Sequence, residues 1–219
     1  LLLDPIDITV ATGGADSAAD VATFAAATCG AGNNSATCSV APATLNAAGA
    51  NVILQAQNDI TVTNAINLIA TANANLTLQA GRSIAVNANV ATNGTGNITM
   101  VANNTDNTET NAAGAGLTGS GGTNRGAGAA SLTVGGTIST GAGGNIKLVN
   151  SATSANGGVT GGLTVNSAIT TANWPSAAGA AGNPRCPIVI AVAGTGIFSA
   201  RRNGFRQRWR ERELSGPAT

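Results

Sequence analysis

Two short patterns alternate along this chain of 219 residues and constrain its fold more than any other feature. The first is Asn, an apolar residue, any residue, Leu or Met, any residue and a residue that is usually small. The second is Ile or Leu, any residue, Val, three residues, then Ile or Val. The first pattern begins at Asn51, Asn75, Asn97 and Asn145, and the second begins at Ile60, Ile84, Leu132 and Leu163. Because their apolar residues fall on alternate positions, both patterns predict half-buried β-strands.

The spacing of the copies predicts how these strands are connected. From a second-type strand to the next first-type strand takes 15, 13 and 13 residues, whereas the other connection takes 9, 9, 35 and 18. One connector is nearly constant and the other absorbs insertions, which is typical of a solenoid. The uninterrupted coils, 51 to 75 and 75 to 97, have 22 to 24 residues. We therefore predict an all-β fold, a parallel β-helix of about four to five coils.

Stacking these coils aligns the apolar residues in columns that face inward. Five columns of four residues contain only aliphatic residues or Met. In a sixth column, Asn150 follows three alanines, and an inward Asn needs a hydrogen-bonding partner. The segment IDITV at 6 to 10 resembles a further second-type strand. After Ile169 the spacing predicts a first-type strand near 176 to 178, where the sequence does not match.

Composition excludes several kinds of site. The chain has no His, so a Ser-His-Asp or Cys-His nucleophile and a His-ligated zinc are excluded. Its nine acidic residues are scattered, and Asp59 with Asn58 most simply makes a turn before a strand. We predict a protein that is not an enzyme, with no catalytic residue, no metal site and no cofactor. The longest apolar run, 188 to 198, is about half what a membrane helix needs, so no membrane span is expected.

Over roughly residues 1 to 172, the chain resembles the filamentous-haemagglutinin-like exoproteins of two-partner secretion systems. The segments that carry the resemblance are LLLDPIDITV at the start, TLNAAGANVILQA at 44 to 56, NLTLQAGRSIAVNANV and NITMVANN. The resemblance implies a right-handed β-helix, secreted to the outer-membrane surface of a Gram-negative bacterium through an outer-membrane transporter. It also implies a role in adhesion, in aggregation or as a stalk. The family's Asn-Pro-Asn motif and a signal sequence are not found, so we expect a fragment from just downstream of the secretion domain.

We predict two parts, a β-helix over 1 to 172 and a basic tail over 173 to 219 that is irregular or a short helix. Insertions are expected at about 11 to 44, 103 to 131 and 151 to 162. The first of these lies on the other connector, so the one-sided rule holds for four coils and not for a fifth. In a solenoid, a loop such as the insertion from Asn103 to Ser131 projects from one edge, where recognition usually occurs. For this insertion taken alone, we favour the interpretation that it is a mobile loop without a ligand.

The predicted site residues are few. Cys29 and Cys38 could form a local disulfide, which would leave Cys186 over. Asn93 and Asn103 begin Asn-x-Thr tripeptides near predicted turns and are candidate glycosylation sites. The tail offers a candidate contact with an anionic surface through Arg201, Arg202, Arg206, Arg208, Arg210 and Arg212.

The tail contrasts with the repeats, because residues 185 to 219 hold seven Arg against two Glu, a net charge of +5. Three interpretations stay open: a short basic helix without a role in the solenoid, a binding element, or a stretch translated beyond a frameshift or gene-fragment boundary. We favour the last, since the repeat pattern stops just before Trp174. The run PIVIAV at 187 to 192 is alternatively a displaced last strand. Nucleic acid is not an expected partner, although the arginines make it a third function to test.

The leading functional prediction is a stalk or adhesion segment of a secreted bacterial surface protein. It would present loops to a receptor or glycan on a host or bacterial surface. The alternative, from a different class, is a β-helical module that binds or cleaves polysaccharides with the flat polar faces that Asn and Thr would present.

Overall fold

The computed structural model describes residues 2–3, 6–13, 37–56, 58–104, 128–151, 160–172 and 188–192. These residues are mostly β-strand, with a single short helix among them, α1 (Pro42–Asn46). Every strand pair is parallel, and the strands form three sheets. The architecture is compatible with an all-β parallel solenoid.

The chain adds one strand to each sheet in turn over the central coils, and the third sheet has four strands where the other two have six. The first sheet runs in the order β1 (Leu2–Leu3), β4 (Val52–Ala56), β7 (Leu76–Ala80), β10 (Ile98–Ala102), β13 (Ile146–Asn150) and β16 (Ile188–Val192). The second runs β14 (Thr160–Val165), β11 (Ala130–Val134), β8 (Ile84–Val86), β5 (Ile60–Val62), β2 (Asp7–Val10) and β3 (Thr37–Val40). The third runs β15 (Ile169–Thr171), β12 (Ile138–Thr140), β9 (Val90–Thr92) and β6 (Ile66–Leu68).

The inward columns predicted from the repeats are confirmed by the strand register. Leu54, Leu78, Met100 and Leu148, for example, are successive partners across the first sheet. Of the twenty predicted column residues, seventeen are at most 1% exposed. The other three, Leu163, Val165 and Ile169, are partly buried and pack against the same core. One continuous aliphatic core therefore runs between the three sheets.

Each copy of the second pattern is two strands on different sheets, not one. The first three residues of a copy form a strand of the second sheet, and its last apolar residue begins a strand of the third. Val62 and Ile66, on either side of the corner, are separated by an even number of positions, and both are buried. The alternation of inward and outward residues therefore continues unchanged through the corner. Periodicity alone did not reveal this corner.

Asn150 has hydrogen-bond partners for its side-chain Nδ2 but not for its buried Oδ1. Its side chain is fully buried, and its Nδ2 donates to the carbonyl oxygens of Ala130, Gly161 and Gly162 at 3.2, 2.8 and 3.2 Å. The register between β11 and β14 shifts at this point, where Ala130 pairs with Thr160 but Leu132 pairs with Leu163. The Asn150 amide thus satisfies backbone carbonyls at a β-bulge.

Two segments differ from the predicted arrangement. Within the insertion expected at about 11 to 44, Thr37–Val40 is a strand that pairs with β2, and α1 follows it. Cys38 takes the place of the usual Ile or Leu in this strand, which is why the pattern missed it. The described strand after β15 on the first sheet is β16, which pairs with β13 over all five of its residues. The interpretation of this run as a displaced last strand is therefore confirmed, and residues 176 to 178 lie outside the described part of the chain.

Candidate functional site: the loop-bearing edge

The insertions at 103–129 and 151–159 leave the solenoid at one corner, where first-sheet strands lead into second-sheet strands, whereas the earlier insertion connects β2 to β3 of the second sheet. We call the described residues of this corner the loop-bearing edge; they are Asp7, Asn58, Asp59, Arg82, Ser83, Asn103, Asn104 and Ser151. Short connectors at this corner occupy 57–59 and 81–83, whereas longer ones occupy 103–129 and 151–159. The prediction that this connector absorbs insertions is confirmed for these coils. Residues 105–127 and 152–159 themselves lie outside the described residues.

The first residues of the longer insertion are fixed to neighbouring coils. Asn103 is fully buried and Asn104 is 4% exposed. The Asn103 backbone N–H donates to the Arg82 carbonyl and the Asn104 N–H to the Ala80 carbonyl, both at 2.9 Å. The Asn103 Nδ2 donates to the Ser151 carbonyl at 2.9 Å, which ties the two insertions together at their bases. Asn103 has a φ of 50°, a left-handed conformation that Asn tolerates better than most residues. The insertion therefore starts from a rigid base.

One ion pair lies at the same edge. Arg82 Nε donates to Asp59 Oδ1 at 2.8 Å, and Arg82 Nη2 also contacts Asp59 Oδ2. This hydrogen bonding raises the pKa of the Arg82 guanidinium above its usual value, burial opposes the rise, and the charges of Asp59 and Asp7 add to it. Each side chain of the pair is 28% exposed. The pair is bidentate but solvent-screened, so its own contribution to stability is small.

Asp59 also belongs to a ladder of hydrogen bonds along the second sheet. In this ladder, a side-chain oxygen in one coil accepts from a backbone N–H in the next coil. Asp7 Oδ1 accepts from the Asp59 N–H at 3.1 Å, Asp59 Oδ1 accepts from the Ser83 N–H at 3.0 Å, and Ser83 Oγ accepts from the Ser131 N–H at 3.1 Å. Each residue directly precedes the inward Ile or Leu of its coil. The position of Asp59 before a strand predicts a turn residue and does not indicate this ladder. The available signal was Asp, Asp, Ser and Ser at one position of successive coils.

A second ladder begins the strands of the first sheet and explains the Asn of the first pattern. Asn51, Asn75 and Asn97 each accept through Oδ1 from the backbone N–H of the next Asn in the series, at 2.8 to 2.9 Å. The same oxygens accept from the next side-chain Nδ2 at 3.0 to 3.1 Å. Asn145 is the last donor of this ladder. These asparagines hold coils together through their side chains.

Most polar side chains of the loop-bearing edge are hydrogen-bonded to backbone groups, which limits the chemistry that this edge can perform. Both Asp7 and Asp59 accept backbone N–H groups. Within the described residues, no group of three or more His, Cys, Asp and Glu side chains is placed to hold a metal ion. What the arrangement can do is hold two insertions next to each other on a stiff support.

The predicted site residues fall in different places. Cys38 is fully buried and disulfide-bonded, but its partner lies outside the described residues, as do Cys29 and Cys186, so the pairing with Cys29 stays a prediction. Asn93 is exposed at a corner, where its Nδ2 donates to the Ile69 carbonyl at 3.1 Å. The buried, hydrogen-bonded amide of Asn103 is inaccessible in the folded chain, which disfavours it as a glycosylation site. The six tail arginines lie outside the described residues.

Substitutions at Asp59 and Arg82 should separate the ladder from the ion pair. We expect Asp59→Ala to lower the free energy of unfolding by about 1–3 kcal/mol, because the Ser83 N–H loses its acceptor. Arg82→Gln should cost less than about 1 kcal/mol, since Asp59 keeps its place in the ladder. Urea unfolding followed by circular dichroism measures both; the loss of the ion pair, which the two variants share, should shrink at high salt, whereas the additional loss in Asp59→Ala should persist. Equal losses for the two variants would mean that the ladder adds nothing to the pair.

Comparisons with protein-family models, with curated proteins and with solved structures found no match to this chain. The resemblance carried by the repeats therefore stays a prediction. In the described part of the chain, no helix is long and apolar enough to cross a membrane.

Proposed function

We propose that this chain is a stalk or adhesion segment of a secreted bacterial surface protein, and that it is not an enzyme. Its fold would be a right-handed parallel β-helix of about four to five coils. The observation that carries the proposal is the loop-bearing edge, where the base of one insertion is buried and bonded to Ser151 at the base of the other. A rigid support with loops clustered on one edge suits recognition of a surface.

The support is stiff along its length because each coil is bonded to its neighbours. The Asn ladder and the Asp59 ladder add side-chain hydrogen bonds to the parallel backbone pairing. Six stacked strands, at about 4.8 Å for each step, give the first sheet a length of about 24 Å. Stability in such a stack is distributed over coil interfaces, which favours a holding role.

The partners in this proposal follow from the family resemblance. Export would use an outer-membrane transporter of the two-partner type, through a secretion domain outside this sequence. The contact partner would be a receptor or glycan on a host or bacterial cell. The location would be extracellular, at the surface of a Gram-negative bacterium.

One observation favours the second candidate, a polysaccharide-binding module. The outward positions of the second sheet place Thr9 beside Thr61 and Thr133 beside Thr164, with Ala85 between the two pairs. These hydroxyls form an uncharged polar strip along the sheet. Binding on a glycan array that is lost in Thr61→Val and Thr133→Val would support this module, and cleavage of the bound glycan would identify it as an enzyme.

The adhesion proposal is tested by scrambling an insertion without changing its composition. Beads coated with the full chain are applied to epithelial monolayers and to Gram-negative bacterial cells, and the retained beads are counted. We expect retention of the original chain and loss of retention when residues 105–127 are shuffled, because the recognised surface would be destroyed while the support remains. Circular dichroism should give the same strand signal for both.

The matched control is Ser139→Ala, which lies on the third sheet away from the insertion and should keep full retention. Equal retention by the shuffled chain would show that this insertion is not the contact. Failure of the original chain to bind either cell type would contradict the adhesion proposal itself.

A further inference from the structure

The two ends of the solenoid differ in how well their inner residues are covered. At one end, β3 extends the second sheet beyond β2, and α1 packs against β6, the last strand of the third sheet. The Asn67 N–H donates to Asn46 Oδ1 at 2.7 Å, which fastens α1 in this place. Cys38, Val40 and Leu45 are all fully buried there. This end is closed.

At the other end, the last strands of the three sheets are β14, β15 and β16, which we call the open end. No described strand pairs with their outer edges. The inner residues of the open end are only partly buried; they are Leu163, Val165, Ile169, Ile188 and Ile190. Their partners one step inside the stack are fully buried; these are Leu132, Val134, Ile138, Ile146 and Leu148. The core is therefore continuous up to the open end and incompletely covered there.

A buried hydroxyl at the open end lacks the partner that its equivalents have. Thr92 Oγ1 donates to the Gly96 carbonyl at 2.7 Å, and Thr140 Oγ1 donates to the Gly144 carbonyl at 3.2 Å. Thr171 occupies the next position of this column and is 8% exposed, but its Oγ1 has no hydrogen-bond partner. A buried polar group without a partner is costly, so an acceptor brought to this end would be stabilising.

We infer that the open end is an interface for a second copy of this chain. The strands β14, β15 and β16 contain no charged residue and no Pro, the features that normally prevent edge-to-edge association. An identical surface would therefore meet no electrostatic repulsion, and the partly buried aliphatic residues of the two copies would cover each other. Because the other end is closed, the contact is isologous and association stops at a dimer. The inference depends on the paired strands and not on the proposed function.

The mass of the full chain in solution tests the inference. Sedimentation over a range of concentrations should give a dimer that dissociates on dilution. Leu163→Lys should weaken dimerisation by about a hundredfold or more, since it would bury an unpaired charge in the interface. Thr164→Lys is the matched control, because it adds the same charge to the exposed outer side of the same strand and should leave the dimer intact.

Ile169→Lys repeats the test on the third sheet if Leu163→Lys does not fold, and circular dichroism decides which variants are folded. A monomeric original chain at every concentration would overturn the inference, and so would a dimer that persists in a folded Leu163→Lys or Ile169→Lys variant. A monomer that dimerises only when Ile197 and Phe198 are both changed to Ser would overturn it in favour of the chain's own C-terminal residues as the cover. Loss of cell binding with an intact dimer would contradict the proposed function alone.

Discussion

Replacing Gly136 with Ala should lower the free energy of unfolding of the full chain by about 3 kcal/mol, the upper part of the range for overpacking. A Cβ at Gly136 would overlap the carbonyl group of Ala88 and lie 2.8 Å from the Ala88 Cα. These are backbone atoms of the neighbouring coil, so they cannot move aside as a flexible side chain would. The coils would have to separate, which would break the bond from the Gly136 N–H to the Val86 carbonyl at 3.1 Å.

Gly135 supplies the control from the same corner. A Cβ there would meet the Val86 carbonyl oxygen at 3.4 Å, which is ordinary contact. Gly135→Ala should therefore stay within about 1 kcal/mol of the original chain, and loss of chain entropy in the unfolded state could make it slightly more stable. The midpoints of urea unfolding compare the two variants directly. A Gly136→Ala variant as stable as Gly135→Ala would show that the coils are less closely stacked at this corner.

The inward residues were the part of the fold that sequence could predict best. The inner face of every coil packs against the core, so the same few positions must be apolar each time, and the column from Leu54 to Leu148 repeats without exception. The corner after Val62 was missed because a bend that preserves even spacing leaves the apolar pattern unchanged. Periodicity reports which residues face inward but not where the chain turns between sheets.

The loop-bearing edge was predicted only in outline. Unequal connector lengths indicated the corner that carries insertions. They did not indicate the ion pair between Asp59 and Arg82, because its two residues come from different coils. Pairing them requires the register, because Arg82 lies beside Asn58 in the stack and reaches Asp59 diagonally. The Asn103 tripeptide predicts a glycosylation site near a turn because it looks like that of any exposed Asn, although the backbone and side chain of Asn103 serve as an anchor.

The strands that do not match the repeat patterns are those in which the first residue of the pattern is replaced. In β3, Cys38 occupies the inward place of an Ile, and the residue before Ile188 of β16 is Pro187 where the pattern has Asn. Pro has no N–H to donate to a ladder, so the side-chain ladder of the first sheet cannot continue through this position. Without the Asn, the sequence of β16 no longer shows the first pattern. The backbone of β16 nevertheless pairs with β13 over five residues.

Truncating the inner leucines should show how far one coil affects another. Leu54 and Leu78 are fully buried register partners. We expect Leu54→Ala and Leu78→Ala each to lower the free energy of unfolding by about 2–5 kcal/mol, the usual cost of removing a buried Leu side chain. Leu163→Ala, at the open end, should cost clearly less at concentrations where the chain is monomeric, since its side chain is only partly buried.

Double variants of the inner leucines show whether the effects of two substitutions on the free energy of unfolding are coupled only between adjacent coils or along the whole stack. Leu54 and Leu148 are three strands apart, about 14 Å at the usual strand spacing, so their losses should add to within about 0.5 kcal/mol. Leu54 and Leu78 share one cavity once both are shortened, so their combined loss should depart from the sum by about 0.5 kcal/mol or more. If the stack is a series of nearest-neighbour interfaces, coupling ends within one or two coils. Strong coupling between Leu54 and Leu148, measured by urea unfolding of the four-member cycle, would mean instead that the sheets respond as a single body.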